Sequence, residues 1–202
     1  MVNAQPAYVR QNVLVGQARM FVQKLLPTSV PALPADTVEL NGAWPSSGVN
    51  IWVPVGATQE GLNFRFQRST QDITIEEQLT PVSVNTTGID LSMDMILSED
   101  TLETMQLAFG GGVITTTAAG VGAIGKKELV IGSDQDQYAF GFEVKNSFGF
   151  FRRVLVPTVV SVGQIEALHR RAADARRYAI SLRAVCAPEE VQIVEKTANS
   201  TS

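Results

Sequence analysis

The sequence predicts a mainly β chain with one helix packed beside its sheet. Three observations predict it. Apolar residues alternate with polar ones along several segments, glycine and proline clusters separate those segments, and in one short window the apolar spacing changes to three and four. A period of two with one apolar face is the mark of a half-buried strand.

The chain has 202 residues, 45% of them hydrophobic, which suits one domain with extended arms. A chain of this size buries roughly 70% of its unfolded surface and needs no disulfide or metal to hold it. Residues 1–20 read as an N-terminal arm. Residues 21–54 read as an extended loop, because Pro27, Pro31, Pro34, Pro45 and Pro54 punctuate them and proline cannot donate to a strand ladder. This loop carries both tryptophans, Trp44 and Trp52. Large aromatics on a loop belong in a contact, either in the subunit's own core or against a neighbouring subunit. They are taken as candidate inter-subunit contacts.

Residues 55–186 read as the β-rich unit. Leu62, Phe64 and Phe66 alternate with polar residues. Ile73 and Ile75 alternate with Asp72, Thr74, Glu76 and Gln78. Ile89, Leu91, Met93, Met95 and Leu97 alternate with Asp90, Ser92 and Asp94. The window 98–109 predicts the helix: Ser98 as N-cap, acidic residues in the first turn, Leu102, Met105 and Phe109 on one stripe, and Gly110–Gly112 as the stop. Ile73, Ile75, Leu91, Met93, Met95, Leu102, Met105 and Phe109 are the expected core. Residues 113–125 read as a loop or loose hairpin, followed by a short strand from Glu128. Tyr138, Phe140, Phe142 and Val144 share a strand face that Phe151 and Leu155 continue in the next strand, across a turn at Asn146–Gly149. Residues 164–177 fit either a short amphipathic helix or a loop. Tyr178, Ile180, Leu182, Ala184 and Cys186 form a closing strand, and the polar tail 187–202 is expected to fray or reach outward.

The chemistry-bearing residues point away from catalysis. The net charge of −4 offers no basic surface for gripping nucleic acid. One cysteine, Cys186, excludes an intramolecular disulfide and reads as an inert core residue. No apolar run is long enough for a membrane helix, and the N-terminus lacks the pattern of a signal peptide. Gly120–Lys127 matches GxGxxG, but a phosphate loop must lead into a helix, and here a strand-like segment follows. The single histidine, His169, sits among arginines without the partners of a triad or zinc site. Adjacent carboxylates such as Glu76 and Glu77 point to opposite strand faces. No catalytic, cofactor or metal site is expected. Arg170, Arg171, Arg176 and Arg177 are expected to pair with carboxylates of a neighbouring subunit, together with Arg183.

Four segments, in order, carry a resemblance. Val55-Gly56-Ala57-Thr58-Gln59-Glu60-Gly61 resembles a strand opening. Asp72-Ile73-Thr74-Ile75-Glu76-Glu77-Gln78-Leu79-Thr80-Pro81-Val82 is similar to a strand followed by Thr-Pro-Val. Leu91–Leu97, Ser98–Leu102 and Leu107–Gly111 make a strand, acidic turn, helix and glycine unit, and Arg177–Ala184 resembles a final strand. Together, over about two-thirds of the chain, they resemble the tail tube proteins of long-tailed bacteriophages. The first 50 residues match less well.

The resemblance implies a β-sandwich or barrel-like fold with one flanking helix. It implies hexameric rings that join strands across subunits and stack head to tail into a tube. Tape measure, tail tip and tail terminator proteins would be the partners. Double-stranded DNA would pass through the lumen without specific binding. The location would be the tail of the virion, after synthesis in the host bacterial cytoplasm, with no membrane partner. An acidic wall would repel the phosphates, so Asp72, Thr74, Glu76 and Gln78 are expected to line the lumen together with Asp90, Ser92 and Asp94. Alternatives are another ring-forming tail or baseplate part, the tube of a contractile injection device, and a monomeric β-sandwich binding module.

Overall fold

The computed structural model describes residues 18–26, 30–31, 33–35, 42–46, 51–74, 80–122, 124–145, 151–163 and 178–195. Ten strands and one α-helix run through them in this order: β1 (Ala18–Lys24), β2 (Val53–Pro54), β3 (Thr58–Ile73), β4 (Ser83–Leu97), α1 (Leu102–Ala108), β5 (Val113–Thr117), β6 (Lys126–Val130), β7 (Tyr138–Lys145), β8 (Phe151–Ser161), β9 (Tyr178–Ala184) and β10 (Gln192–Glu195). The fold is mainly β with one helix. All strand pairs among the described residues are antiparallel.

One sheet runs β2-β1-β7-β8-β9-β4-β3, with β10 added against β8, and β5 pairs with β6 separately. The sheet curls, so that Phe64 of β3 meets Phe142 of β7 with ring centroids 5.5 Å apart. Inside the curl lies the main core, built from Met93, Leu97, Phe140, Val156, Tyr178 and Leu182 among others. Pro157 sits inside β8, where proline is ordinarily excluded. The β7–β8 ladder steps from Phe140↔Val156 to Tyr138↔Val159, so one extra residue bulges on β8 and the missing N–H is accommodated. β8 changes neighbours there. Residues 152–155 take β10 and residues 159–161 take β9.

A second cluster covers the other face of β1, β7 and β8: Phe21, Trp44, Trp52, Ala139 and Leu155. Trp44 stacks on Phe21 at 4.8 Å and meets Trp52 edge-on at 4.6 Å. Beside it Glu143 accepts from Trp44 Nε1 and Arg153 Nε, each at 3.2 Å, and pairs with Arg19 at 3.2 Å. Arg153 also donates to the Gly42 carbonyl. A buried ion pair without such extra bonds would be costly. Here the network fastens the proline-rich segment to the sheet.

Several expectations change. Trp44 and Trp52 are 8% and 3% exposed, buried in the subunit's own second core, so they have almost no surface left for a neighbour. Residues 18–24, expected as arm and loop, form a strand paired along its whole length with β7. Both faces of β1 are partly covered, which erases the alternation a strand normally shows. The helix starts later than predicted. Ser98 N–H donates to the Ala57 carbonyl at 3.0 Å, while Thr101 Oγ1 caps Thr104 N–H at 3.1 Å. Its buried residues are Thr104, Leu107 and Ala108, with Leu102 and Met105 half-buried and Phe109 41% exposed. The small Ala108 lets the helix end sit close to β8, where Ser161 Oγ donates to its carbonyl at 3.0 Å. Ile73 is also exposed, at 48%. Over residues 188–195 the tail does not fray: a 3-10 turn at Pro188–Glu190 leads into β10, paired to β8. The predicted turn at Asn146–Gly149, residues 164–177 with His169, and Ile75 lie outside the described residues.

Candidate assembly surface

The β3–β4 hairpin is the longest feature, with strands of 16 and 15 residues, roughly 50 Å at about 3.3 Å per residue. Its two halves have different neighbours. Residues 92–97 of β4 also pair with β9. Residues 83–91 of β4 pair with β3 alone, and the outer edge of β3 has no partner strand among the described residues. At the far end of the sheet, β2 is only two residues long. Exposed edges of this kind invite pairing with another chain.

One face of the hairpin base is polar. Asn63, Arg65 and Gln67 stand opposite Asp94, Ser92 and Asp90, and β9 continues the face with Ser181 and Arg183. Arg183 Nε donates to Asp90 Oδ1 at 2.8 Å, Ser181 Oγ to Asp94 Oδ1 at 2.7 Å, and Arg65 lies 3.8 Å from Asp94. Asp90 and Asp94 are therefore each paired with an arginine of the same chain, and Arg183 finds its carboxylate within the chain. Asp72 does not join this face. It pairs with Val84 and lies five positions beyond Gln67, an odd separation that turns it to the opposite side. Thr74 is exposed just past the end of β3. Glu76, Gln78, Arg170, Arg171, Arg176 and Arg177 lie outside the described residues.

The opposite face of the hairpin is apolar, and only its base is buried. Met93 and Leu97 have no exposed surface, whereas Phe66 is 49%, Ile89 40% and Val84 59% exposed. Between this outer half and the chain leaving β9 lies a groove of about 610 Å³, lined by Phe64, Phe66, Ile89, Leu91, Cys186 and Ile193 among others. Cys186, expected in the core, is a half-buried free thiol on its wall.

No family model and no curated protein matches the chain. Among solved structures it is similar to a chain in a cryo-EM structure of the anti-feeding prophage (AFP) baseplate, 6-fold symmetrised. The likeness spans 95% of this chain and 97% of that one, at 12% identity and a TM-score of 0.45.

At the other end of β4 stands the β5–β6 hairpin. Gly120–Gly125 joins its two strands, which explains why a glycine pattern resembling a phosphate loop leads into no helix. Lys127 pairs with Glu103 of α1 and, by that hydrogen bond, holds the carboxyl below its usual range. Val121 and Ile124 at the tip are fully or almost fully exposed. Sequence reasoning misses both the groove and this tip. The available signal is apolar alternation running on through Ile89 and Phe66, past the reach of the closing strand.

Proposed function

We propose that the chain is a structural, non-enzymatic subunit of a bacteriophage tail tube, forming hexameric rings that stack around passing double-stranded DNA. The observation that carries this reading is the β3–β4 hairpin, whose outer half leaves the sheet with an edge unpaired among the described residues and with an apolar face. A two-stranded hairpin of this kind is marginal in water on its own. Pairing with the next subunit would satisfy the open backbone groups and close a ring of strands. Tape measure, tail tip and terminator proteins would meet the ends of the resulting tube in the virion tail.

The polar face of the hairpin base would line the lumen. Its side chains Asn63, Arg65, Ser92, Asp90, Asp94 and Arg183 form a hydrated surface with paired charges. DNA carries about one charge per 1.7 Å of axis, so a wall with unpaired arginines would hold it. Internal pairing gives a wall that neither grips nor strongly repels.

Negative-stain microscopy of the purified chain at rising concentration, with light-scattering mass beside it, tests the reading. Hollow rings or long tubes are expected, spontaneously or when a tail-tip complex starts assembly. Rings that never lengthen would favour another tail or baseplate part, and a surrounding sheath would mark a contractile device. A chain that stays monomeric and joins no tail would be a binding module instead.

A further inference from the structure

The β5–β6 hairpin is fastened near one end of β4, and the apolar groove lies along its other end. β4 runs from Ile89 beside the groove to Leu97 beside the helix, a span of about 27 Å at roughly 3.4 Å per residue. β9 runs back, from Tyr178 to Ala184, which lines the groove. Tyr178 Oη donates to Asp100 Oδ1 at 2.7 Å and so marks the helix end. The β5–β6 hairpin is fastened there, by Lys127 to Glu103 and by Gln106 Nε2 to the Gly112 carbonyl at 2.8 Å.

Val121 and Ile124 are 111% and 92% exposed, an unusual pair of apolar side chains at the tip of a short hairpin. Glycines flank them, and Gly122 takes a positive φ of 77°, which tightens the turn. Lys126 and Lys127 follow at once. The groove matches in both respects. Its floor is apolar, and Glu189 and Glu190 stand exposed on the turn that forms its rim. The lysines already touch Glu128 and Glu103, but exposed pairs of this kind hold weakly and can be shared with new carboxylates.

We infer that the β5–β6 tip of one copy, through Val121 and Ile124, seats in the groove beside Cys186 of the next copy. An apolar projection at one end and a complementary pocket at the other make a heterologous contact, which repeats without closing on itself. This contact rests on the tube reading and names the surfaces that join successive rings.

The single cysteine of the chain provides the test. Ile124→Cys, assembled and treated with diamide, is compared with the same variant carrying Cys186→Ser. A disulfide between the introduced thiol and Cys186 requires the two Cα atoms within about 7 Å. The expected result is a ladder of covalent multimers on non-reducing gels, with the peptide joining the introduced thiol to Cys186 identified by mass spectrometry. The ladder should collapse to dimers at most without Cys186. In the wild type, a thiol-reactive probe should label Cys186 about tenfold more slowly in tubes than in the unassembled chain, since thiol reactivity follows access. That measurement decides the matter if the variant does not fold. Tubes that form with Cys186 freely labelled and with no such link overturn this contact and leave the tube reading standing. A wild-type chain that never assembles, with or without a tail-tip complex, overturns both.

Discussion

The two halves of the β3–β4 hairpin carry one alternating pattern and meet different surroundings. At the base, Met93 and Leu97 have no exposed surface; toward the tip, Ile89 and Val84 on the same apolar face are 40% and 59% exposed. The ladder between the strands continues through both halves, with register shifts between Thr58 and Leu62 and between Ser69 and Thr70. What changes is the cover. The base has β9 along its edge and β7 across the core. The outer half has neither. Alternation therefore specifies which side chains share a face, and a third strand or a neighbour specifies whether that face is buried. On the proposed reading, the outer half keeps its apolar face for another copy of the chain.

Substitutions that separate the two halves give the largest effects. Met93→Asp places an unpaired charge in the core and should cost more than about 4 kcal/mol, enough to abolish soluble folding. Val84→Asn, on the same face of the outer half, should change monomer stability by less than about 0.5 kcal/mol and weaken tube formation. Soluble yield and denaturant unfolding read the first effect, and microscopy the second. Truncations sharpen the contrast. Met95→Ala should cost about 2–5 kcal/mol, while Phe66→Ala should cost under about 1 kcal/mol in the unassembled chain. Equal losses at the two positions would mean that the monomer already covers its outer half, and the comparison would collapse.

The tryptophan cluster is a third kind of surface, covered by a loop rather than by a strand. A Cβ on Gly141 would lie 2.3 Å from the Trp44 ring. Gly141→Ala should therefore displace the indole and cost about 1–3 kcal/mol. Tryptophan fluorescence should shift to the red well before unfolding. An unchanged spectrum would mean that the loop yields without exposing its ring.

The same contrast explains what is legible in the sequence. The alternation in Leu91–Leu97 and Tyr178–Leu182 marks the main core correctly, because each of those strands is buried on one face. β1, β7 and β8 escape it in whole or in part, because Phe21, Ala139 and Leu155 pack on a second core that periodicity does not register; Leu155, expected to continue the face of Phe140 and Phe142, stands opposite Gly141 on the other side. Trp44 and Trp52 lie on a loop with no periodic signal, and nothing local says which chain buries them. Asp72 and Asp90 both alternate with isoleucine, yet only the pairing register shows that they face opposite ways. Arg183 looks like an interface residue for a related reason. Its partner, Asp90, lies 93 positions away in sequence.

Tyr138, on β7, belongs to the main core that covers the base, and its titration tests how dry that core is. Its hydroxyl is buried with no well-formed hydrogen bond among the described residues. Burial, with the Asp136 carboxylate near it, pushes its pKa above the usual tyrosine value. A tyrosine that resists ionising only when folded favours the folded state below about pH 10 and loses that advantage as pH rises beyond. Stability should fall by up to about 1.4 kcal/mol per pH unit there. Tyr138→Phe should stay within about 1 kcal/mol of wild type at neutral pH and flatten the alkaline slope. An unchanged slope would mean that solvent reaches the hydroxyl.

The smallest effect is expected on the polar face of the base. Asp94 is 39% exposed in its side chain and shares its charge between Ser181 and Arg65. Asp94→Asn keeps the shape and one acceptor for Ser181, so stability should change by less than about 0.5 kcal/mol and assembly should survive. The change also unmasks Arg65 at the surface proposed to face DNA. Tubes of the variant should retain short duplexes at low salt and release them as salt rises, because exposed charges act only within roughly 10 Å at 0.1 M. Tubes that show no added retention would move this polar face to the outside of the wall, while the apolar face would keep its place at the contacts between copies.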